Sequence, residues 1–133
     1  NMPGHSPYQV AVYVPEERVV FTSDNVIHQG LPFFRQALPY EWLDSLKRLQ
    51  QLDVDKVVPG HGSVCDKSYL SEMSNIIKAW IDAVTKAIAK GMSLEEVQEK
   101  VMPLDKYPAL AKDEHMREVR RTNLARLYEL LKR

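Results

Sequence analysis

The 133-residue sequence predicts a mixed α/β (α+β) fold, in which a small mixed sheet with helices on one face precedes a helical C-terminal portion. Two alternating apolar runs near the N-terminus predict a β-hairpin, and a helix followed by a third short strand predicts a crossover. The rest of the chain has helical spacing only. A composition of 44% hydrophobic and 27% charged residues is typical of a globular protein, and the length suits one domain or a piece of one.

The hairpin is predicted from two short runs. Residues 9–14 alternate, with valines on one face, as a strand requires. Pro15 interrupts this pattern, and residues 18–22 form a second run rich in β-branched side chains. Antiparallel pairing of the two runs brings the chain before the first strand and the chain after the second to the same open end.

A helix and a third strand follow the hairpin. Residues 39–52 place apolar side chains at helical spacing, with Pro39 in the first turn, where proline is tolerated. Residues 56–58 form a short apolar strand that ends at Pro59. A strand–helix–strand unit predicts that the strand at 56–58 runs parallel to the strand at 18–22.

The remaining sequence predicts three helices. An apolar stripe runs through residues 70–88, and Gly91 stands where a helix C-cap is expected. Ser93 and Glu96 have the spacing of a capping box and predict a short second helix. A last helix begins near Asp113.

The charge balance argues against several classes of partner. Eighteen basic and eighteen acidic residues give a net charge of zero, so neither a nucleic-acid partner nor an anionic membrane is expected. No run approaches the roughly 20 apolar residues of a transmembrane helix, and no signal peptide is recognisable. Cys65 is the only cysteine, which excludes an intrachain disulfide and a cysteine-based zinc site. We expect a cytoplasmic protein.

Three short segments place a metal-binding side chain beside glycine, serine or proline at the end of a predicted strand, and they contain His5, Asp24 and His61. The hairpin places His5 and Asp24 at its open end. Because the third strand runs parallel to the second, His61 follows it at that same end. Two imidazoles and a carboxylate suit zinc or a similar divalent ion. The carboxylate can bridge two ions about 3.5–4 Å apart.

The order of these motifs resembles the C-terminal half of the metallo-β-lactamase superfamily, especially its glyoxalase-II-like branch. Pro-Gly-His-Ser-Pro is followed by the hairpin, Thr-Ser-Asp, a helix, a short strand and Val-Val-Pro-Gly-His-Gly. The resemblance implies the second half of a four-layer αββα fold, with the ligand loops in residues 1–65 and a helical portion of the same domain in residues 66–133. It also implies that His5 binds one divalent ion, that His61 binds a second, and that Asp24 bridges them. Zinc is expected first, with iron or manganese as alternatives.

The resemblance implies hydrolysis of an ester, thioester, lactone or amide by a metal-bridged hydroxide, but it identifies no general acid, general base or substrate-binding residue in this chain. The H-x-H-x-D-H motif that completes the family's site is absent from these 133 residues. We therefore expect the chain alone to be inactive, and its exposed sheet face to pack against the missing N-terminal half or a second copy, which makes a homo-oligomer. The alternative is a non-catalytic dimerising module with vestigial histidines.

Other residues have two interpretations each. Ser23 stands where the family usually has glycine, and Asp24 would be ordinary as a turn residue. His28 is expected to pack in its loop rather than bind substrate, and His115 to be solvated at a helix start. Cys65 is expected to be a small buried residue and not a ligand. Residues 33–34, both Phe, either line a substrate pocket or are buried beneath the rim.

Overall fold

The computed structural model describes residues 1–103 and 113–133. Their contacts divide the chain into two units. The first unit comprises Asn1–Pro32 and Gln36–Ile77, and the second comprises Phe33–Arg35 and Lys78–Arg133. The division after residue 65 that the sequence suggested stays a prediction.

The first unit contains a three-stranded mixed sheet. Its strands are β1 (Val12–Val14), β2 (Val19–Phe21) and β3 (Lys56–Val58), in the order β1-β2-β3. β1 and β2 pair antiparallel, whereas β2 and β3 pair parallel, with Val20 opposite Val57. The predicted hairpin and crossover are therefore both confirmed.

Both hairpin strands are shorter than the sequence predicts. The first begins at Val12 because the backbone before it is bonded elsewhere: the carbonyl of Gln9 accepts from the Met2 amide at 2.8 Å, and that of Val10 accepts from the Ser23 hydroxyl at 2.9 Å. The second begins at Val19 because Arg18, with φ of 54°, closes a 3-10 turn instead of joining the strand.

Helix α1 (Pro39–Gln50) connects β2 to β3 and has Pro39 in its first turn, as expected. Trp42, Leu46 and Leu49 follow helical spacing and are fully buried. The predicted end at residue 52 was too late, because the amide of Gln51 already bonds to the carbonyl of Arg48 in a tightened last turn.

Helix α2 (Ser68–Ala89) is the longest of the described helices, and its first ten residues, Ser68–Ile77, belong to the first unit. Gly91 ends it with φ of 74°, and the amide of Met92 bonds back to the carbonyl of Ala87 at 3.1 Å. This is a Schellman cap, so the predicted role of Gly91 is confirmed.

Two further helices belong to the second unit. Helix α3 (Leu94–Lys100) carries the predicted capping box, in which Ser93 and Glu96 each bond the other's backbone amide. Helix α4 (Glu114–Leu131) begins after Asp113, whose carboxylate accepts from the amide of His115. None of the described helices is long and apolar enough to cross a membrane.

The two faces of the sheet differ in exposure. Val20 and Val57 are fully buried and belong to the core of the first unit. On the opposite face Val12 is 57% and Phe21 47% exposed, and Tyr8 and Val10 are also exposed. Val12 and Phe21, which pair across β1 and β2 on this exposed side, are called the open face below. An uncovered apolar face is what the sequence led us to expect.

Candidate metal centre

The three predicted ligands meet within the first unit. Nε2 of His61 lies 3.3 Å from Oδ1 of Asp24, and Nε2 of His5 lies 3.8 Å from Oδ2 of the same carboxylate. Each imidazole therefore faces a different oxygen of one carboxylate, at the sheet end that the hairpin and crossover had indicated. Their role as metal ligands stays a prediction.

The geometry forms two arms that share Asp24. In the part of the chain that the structure describes, no three His, Cys, Asp or Glu side chains gather as a ligand set for a single ion. The two histidine–carboxylate pairs instead match one histidine for each of two ions, with a shared carboxylate between them. The side chain of His61 is 68% exposed and that of His5 only 22%, so the His61 arm is the more open one.

Backbone bonds place the His61 arm. The amide of Gly60 donates to the carbonyl of Val26 at 3.0 Å, and the amide of His28 donates to the carbonyl of His61 at 3.0 Å. Ile27 and His61 form a parallel bridge. The chain after β3 therefore continues to pair with the chain after β2, which holds His61 beside Asp24.

Glycine is required at position 60 because the carboxylate of Asp24 lies directly against its Cα. A Cβ at this position would overlap Oδ1 of Asp24 and would stand 2.8 Å from the carbonyl carbon and oxygen of Ser23. Real Cβ atoms do not approach backbone that closely, so only glycine fits without displacement. The glycine before His61 thus makes room for the shared carboxylate itself.

A strained turn presents Asp24. Ser23 has φ of 52°, in the left-handed region that glycine favours, and it begins a 3-10 turn over Ser23–Asn25. Its hydroxyl donates to the carbonyl of Val10, while the amide of Asp24 donates to Oε1 of Gln9 at 3.3 Å. Ser23 therefore presents Asp24 from a backbone conformation that is costly for a residue with a side chain.

Asn25 places the His5 arm, and the sequence did not indicate this role. Its Oδ1 accepts from the amide of His5 at 2.9 Å, and its Nδ2 donates to the carbonyl of Met2 at 2.6 Å. The His5 ring meets the edge of Trp42, with ring centroids 5.8 Å apart.

Two residues near the site, His28 and Cys65, make contacts with neighbouring backbone or side chains. Nδ1 of His28 lies 2.9 Å from the carbonyl oxygen of Ser63, and its ring packs edge-on against Tyr69 with centroids 4.6 Å apart. Cys65 exchanges two backbone bonds with Val57, and burial raises the pKa of its thiol. His28 packs in its loop, as expected, whereas Cys65 is half-buried and the prediction of a buried cysteine was wrong.

The other residues with two interpretations, His115, Phe33 and Phe34, belong to the second unit. His115 is exposed in the first turn of α4. Phe34 is fully buried against Trp80, with ring centroids 5.7 Å apart, whereas Phe33 is half-buried. For Phe34, burial rather than pocket lining is the correct alternative.

Comparison with known proteins identifies the family. The sequence model of the metallo-beta-lactamase superfamily matches residues 2–61, the range that contains all three predicted ligands. Residues 2–61 of the chain therefore match the metallo-β-lactamase superfamily. A beta-lactamase-like protein 2 homolog of Caenorhabditis elegans is 31% identical over 65 residues, which cover 49% of this chain and 21% of that protein.

Solved metallo-β-lactamase structures extend the comparison. A metallo-beta-lactamase from Pontibacter korlensis is 28% identical with a TM-score of 0.52, over 57% of this chain and 38% of that one. A metallo-beta-lactamase family protein from Thermus thermophilus is 22% identical with a TM-score of 0.68, over 97% and 42%. The second match spans nearly the whole chain and so also covers the C-terminal helices. The chain spans less than half the length of each of these three proteins.

The predicted superfamily and its mixed α/β fold are thus confirmed. The assignment to a glyoxalase-II-like branch stays a prediction.

Proposed function

We propose that this chain is the C-terminal part of a metal-dependent hydrolase that cleaves an ester, thioester, lactone or amide. The observation that carries the proposal is the pair of imidazole Nε2 atoms facing the two oxygens of Asp24. The superfamily generally binds divalent ions, usually zinc. Such an ion supplies Lewis acidity, which polarises a substrate carbonyl and acidifies water.

The residues present fit a pair of such ions. The donor set of imidazole nitrogen and carboxylate oxygen is the one that zinc accepts. Nδ1 of His5 is buried, so only its Nε2 is available to an ion, and that atom faces Asp24. Gly60 has no Cβ, so the Asp24 carboxylate can lie against its backbone, where the side chain of any other residue would overlap it. His5 and His61 would each hold one ion, and Asp24 would be shared.

We further propose that the open face is covered in the intact protein by the N-terminal half of the fold. Exposed apolar patches on soluble proteins mark surfaces that contact another partner. The chain corresponds to 42% of its Thermus thermophilus neighbour, which leaves more than half of such a protein to supply the cover. A second copy of this chain is the competing occupant.

Metal content tests the proposed function. The intact protein, purified without chelator, should hold about two equivalents of zinc or a similar ion by mass spectrometry of the metal. His61→Ala should remove about one of them, and Asp24→Asn should weaken both, because the carboxylate is shared. His115→Ala, which changes an exposed histidine on α4, is the matched control and should retain the full content.

The same variants decide between the enzyme and the non-catalytic module. Less than about one equivalent in the wild type, together with unchanged hydrolysis in His61→Ala, would overturn the enzyme proposal. A dimer formed by the 133-residue chain, broken by Val12→Lys and present also in the intact protein, would favour the dimerising module.

A further inference from the structure

We propose that Asn25 is a positioning residue that sets the distance between His5 and Asp24, and hence the affinity of the site for the ion on the His5 side. The inference rests on the proposed function for its metal-binding consequence only. Asn25 directly follows the shared carboxylate in sequence and is fully buried.

The Asn25 side chain joins two segments that are distant in sequence. Its Oδ1 accepts from the His5 amide at 2.9 Å, and its Nδ2 donates to the Met2 carbonyl at 2.6 Å. Its own carbonyl accepts from Nε1 of Trp42 at 2.9 Å. The amide group therefore ties the backbone of His5 to the turn that presents Asp24, and the indole fixes that turn.

Packing leaves the amide little freedom to reorient. A Cβ at Gly4 would stand 2.5 Å from Oδ1 of Asn25 and 2.9 Å from the Trp42 ring, so the His5 loop lies directly on the asparagine. The side chain at position 25 needs one acceptor that reaches the His5 amide and one donor that reaches the Met2 carbonyl, and asparagine provides both. Aspartate would keep the acceptor and lose the donor, and alanine would lose both.

Other hydrogen bonds to the loop that contains His5 do not connect His5 directly to the turn that presents Asp24. The amide of Leu38 donates to the carbonyl of Gly4, and the hydroxyl of Ser45 donates to the carbonyl of Pro3. The first bond attaches the loop to the residue before α1, and the second attaches it to α1 itself. Gln9 joins Ser6 to the amide of Asp24, at the longer distances of 3.1 and 3.3 Å. Asn25 is the buried connection between His5 and the Asp24 turn.

The His61 arm provides an internal comparison. It is held beside Asp24 by backbone bonds from Gly60 to Val26 and from His28 to His61, in which no side chain takes part. Substitution of Asn25 should therefore loosen one arm of the site and leave the other in place. A general loss of folding would loosen both.

The first experiment measures position without metal. In the metal-free intact protein with labelled histidine and tryptophan, the NOE between the His5 and Trp42 rings reports the His5 arm, since the centroids are 5.8 Å apart. Asn25→Ala should abolish this NOE. Asn123→Ala is the matched control, because Asn123 is also buried and its Oδ1 also accepts from a backbone amide, that of Phe34. It should leave the NOE unchanged.

The second experiment measures zinc affinity in stepwise titrations. Asn25→Ala should weaken one of two binding steps by on the order of 10-fold or more, as loss of a group that orients a ligand does. In a His61→Ala background the loss should persist, whereas in a His5→Ala background Asn25→Ala should add nothing further. If Asn25→Ala does not fold, Asn25→Asp, which keeps the size and the acceptor, replaces it and should give a smaller loss.

An unchanged NOE in the Asn25 variants, or an equal zinc effect in His5→Ala and His61→Ala backgrounds, would overturn the proposal. An NOE lost equally in Asn123→Ala would also overturn it. A wild-type protein that binds no zinc but loses the NOE in Asn25→Ala would refute the proposed function and leave the positioning role standing.

Discussion

Gly60→Ala tests how closely the site is packed. The added methyl group would overlap Oδ1 of Asp24 and would stand 2.8 Å from the carbonyl carbon and oxygen of Ser23. The Asp24 carboxylate ends a short side chain and can rotate away. The Ser23 carbonyl belongs to the backbone, so relief of that second clash requires the chain itself to shift.

The two clashes predict two separate effects. Overpacking against backbone lowers the free energy of unfolding by about 1–3 kcal/mol. Rotation of Asp24 away from the methyl group also removes its oxygens from both imidazoles, which now lie at 3.3 and 3.8 Å. Zinc affinity should therefore fall by at least about 10-fold, because loss of a shared ligand affects both arms.

Urea denaturation and zinc titration measure the two effects, and Gly91→Ala is the control. Gly91 has φ of 74°, but among the described residues no atom outside its own neighbourhood lies within 4 Å of an added Cβ, so alanine there is strained without any clash. It should lower the free energy of unfolding by about 1–2 kcal/mol and leave zinc binding unchanged. Stability loss is thereby separated from damage to the site.

The reasoning would be refuted if Gly60→Ala kept its stability within about 0.5 kcal/mol and bound zinc as the wild type does. The chain at position 60 would then relax readily, and the close approach of Asp24 would not depend on glycine.

Three further predictions concern the turn, the sheet edge and the core. Ser23→Gly should change the free energy of unfolding by less than about 1 kcal/mol in urea, since relief of left-handed strain offsets a lost hydrogen bond, whereas Ser23→Val should lower it by about 2 kcal/mol. The hydrogen-bonded Arg18 guanidinium lowers the pKa of the Asp55 carboxyl in the folded protein. The pair therefore stabilises the fold at pH values above the pKa that Asp55 has in the unfolded chain, and this stabilisation is lost as the pH falls through its pKa in the folded protein. Asp55→Asn should therefore lower the melting temperature at pH 7, and its difference from wild type should narrow below about pH 4; a pH-independent difference would contradict this. Trp42→Phe removes the donor to the carbonyl of Asn25 and should lower the free energy of unfolding by about 1–3 kcal/mol; a loss under about 0.5 kcal/mol would show that the carbonyl finds another partner.

The sequence predicted the direction of each strand better than its length. Antiparallel and parallel pairing follow from which elements connect the strands, and pairing alone places His5, Asp24 and His61 at one end. The ends of the strands depend on where backbone groups find partners. Residues 9 and 10 alternate like a strand, yet their carbonyls bond to Met2 and Ser23, which side-chain periodicity does not record.

Helix ends were predicted more closely because their caps are local. Ser93, Glu96 and Gly91 act within a few residues of their own positions, so spacing alone identifies them. α1 was the exception, since Gln51 and Leu52 carry no stop signal and the last turn simply tightens.

Within the site, the predictable part and the missed part differ in kind. Strand pairing predicted that His5, Asp24 and His61 meet at one end of the sheet, whereas the left-handed conformation of Ser23 was not predicted. Asn25 had no comparable indication, because its partners are backbone atoms of residues 2 and 5, and backbone atoms leave no mark in a sequence. Only the folded chain shows which amide a buried asparagine reaches.

The two histidine arms differ in how they should tolerate mutation. Backbone bonds hold the His61 arm to residues 26 and 28, and almost any amino acid can supply a carbonyl or an amide. Substitutions at those positions that the surrounding packing accepts should leave these backbone bonds in place. The His5 arm depends on one side chain, so a single codon change at position 25 would reach it. An engineer seeking a new specificity would therefore keep position 25 fixed, and would also keep the buried Val26 apolar.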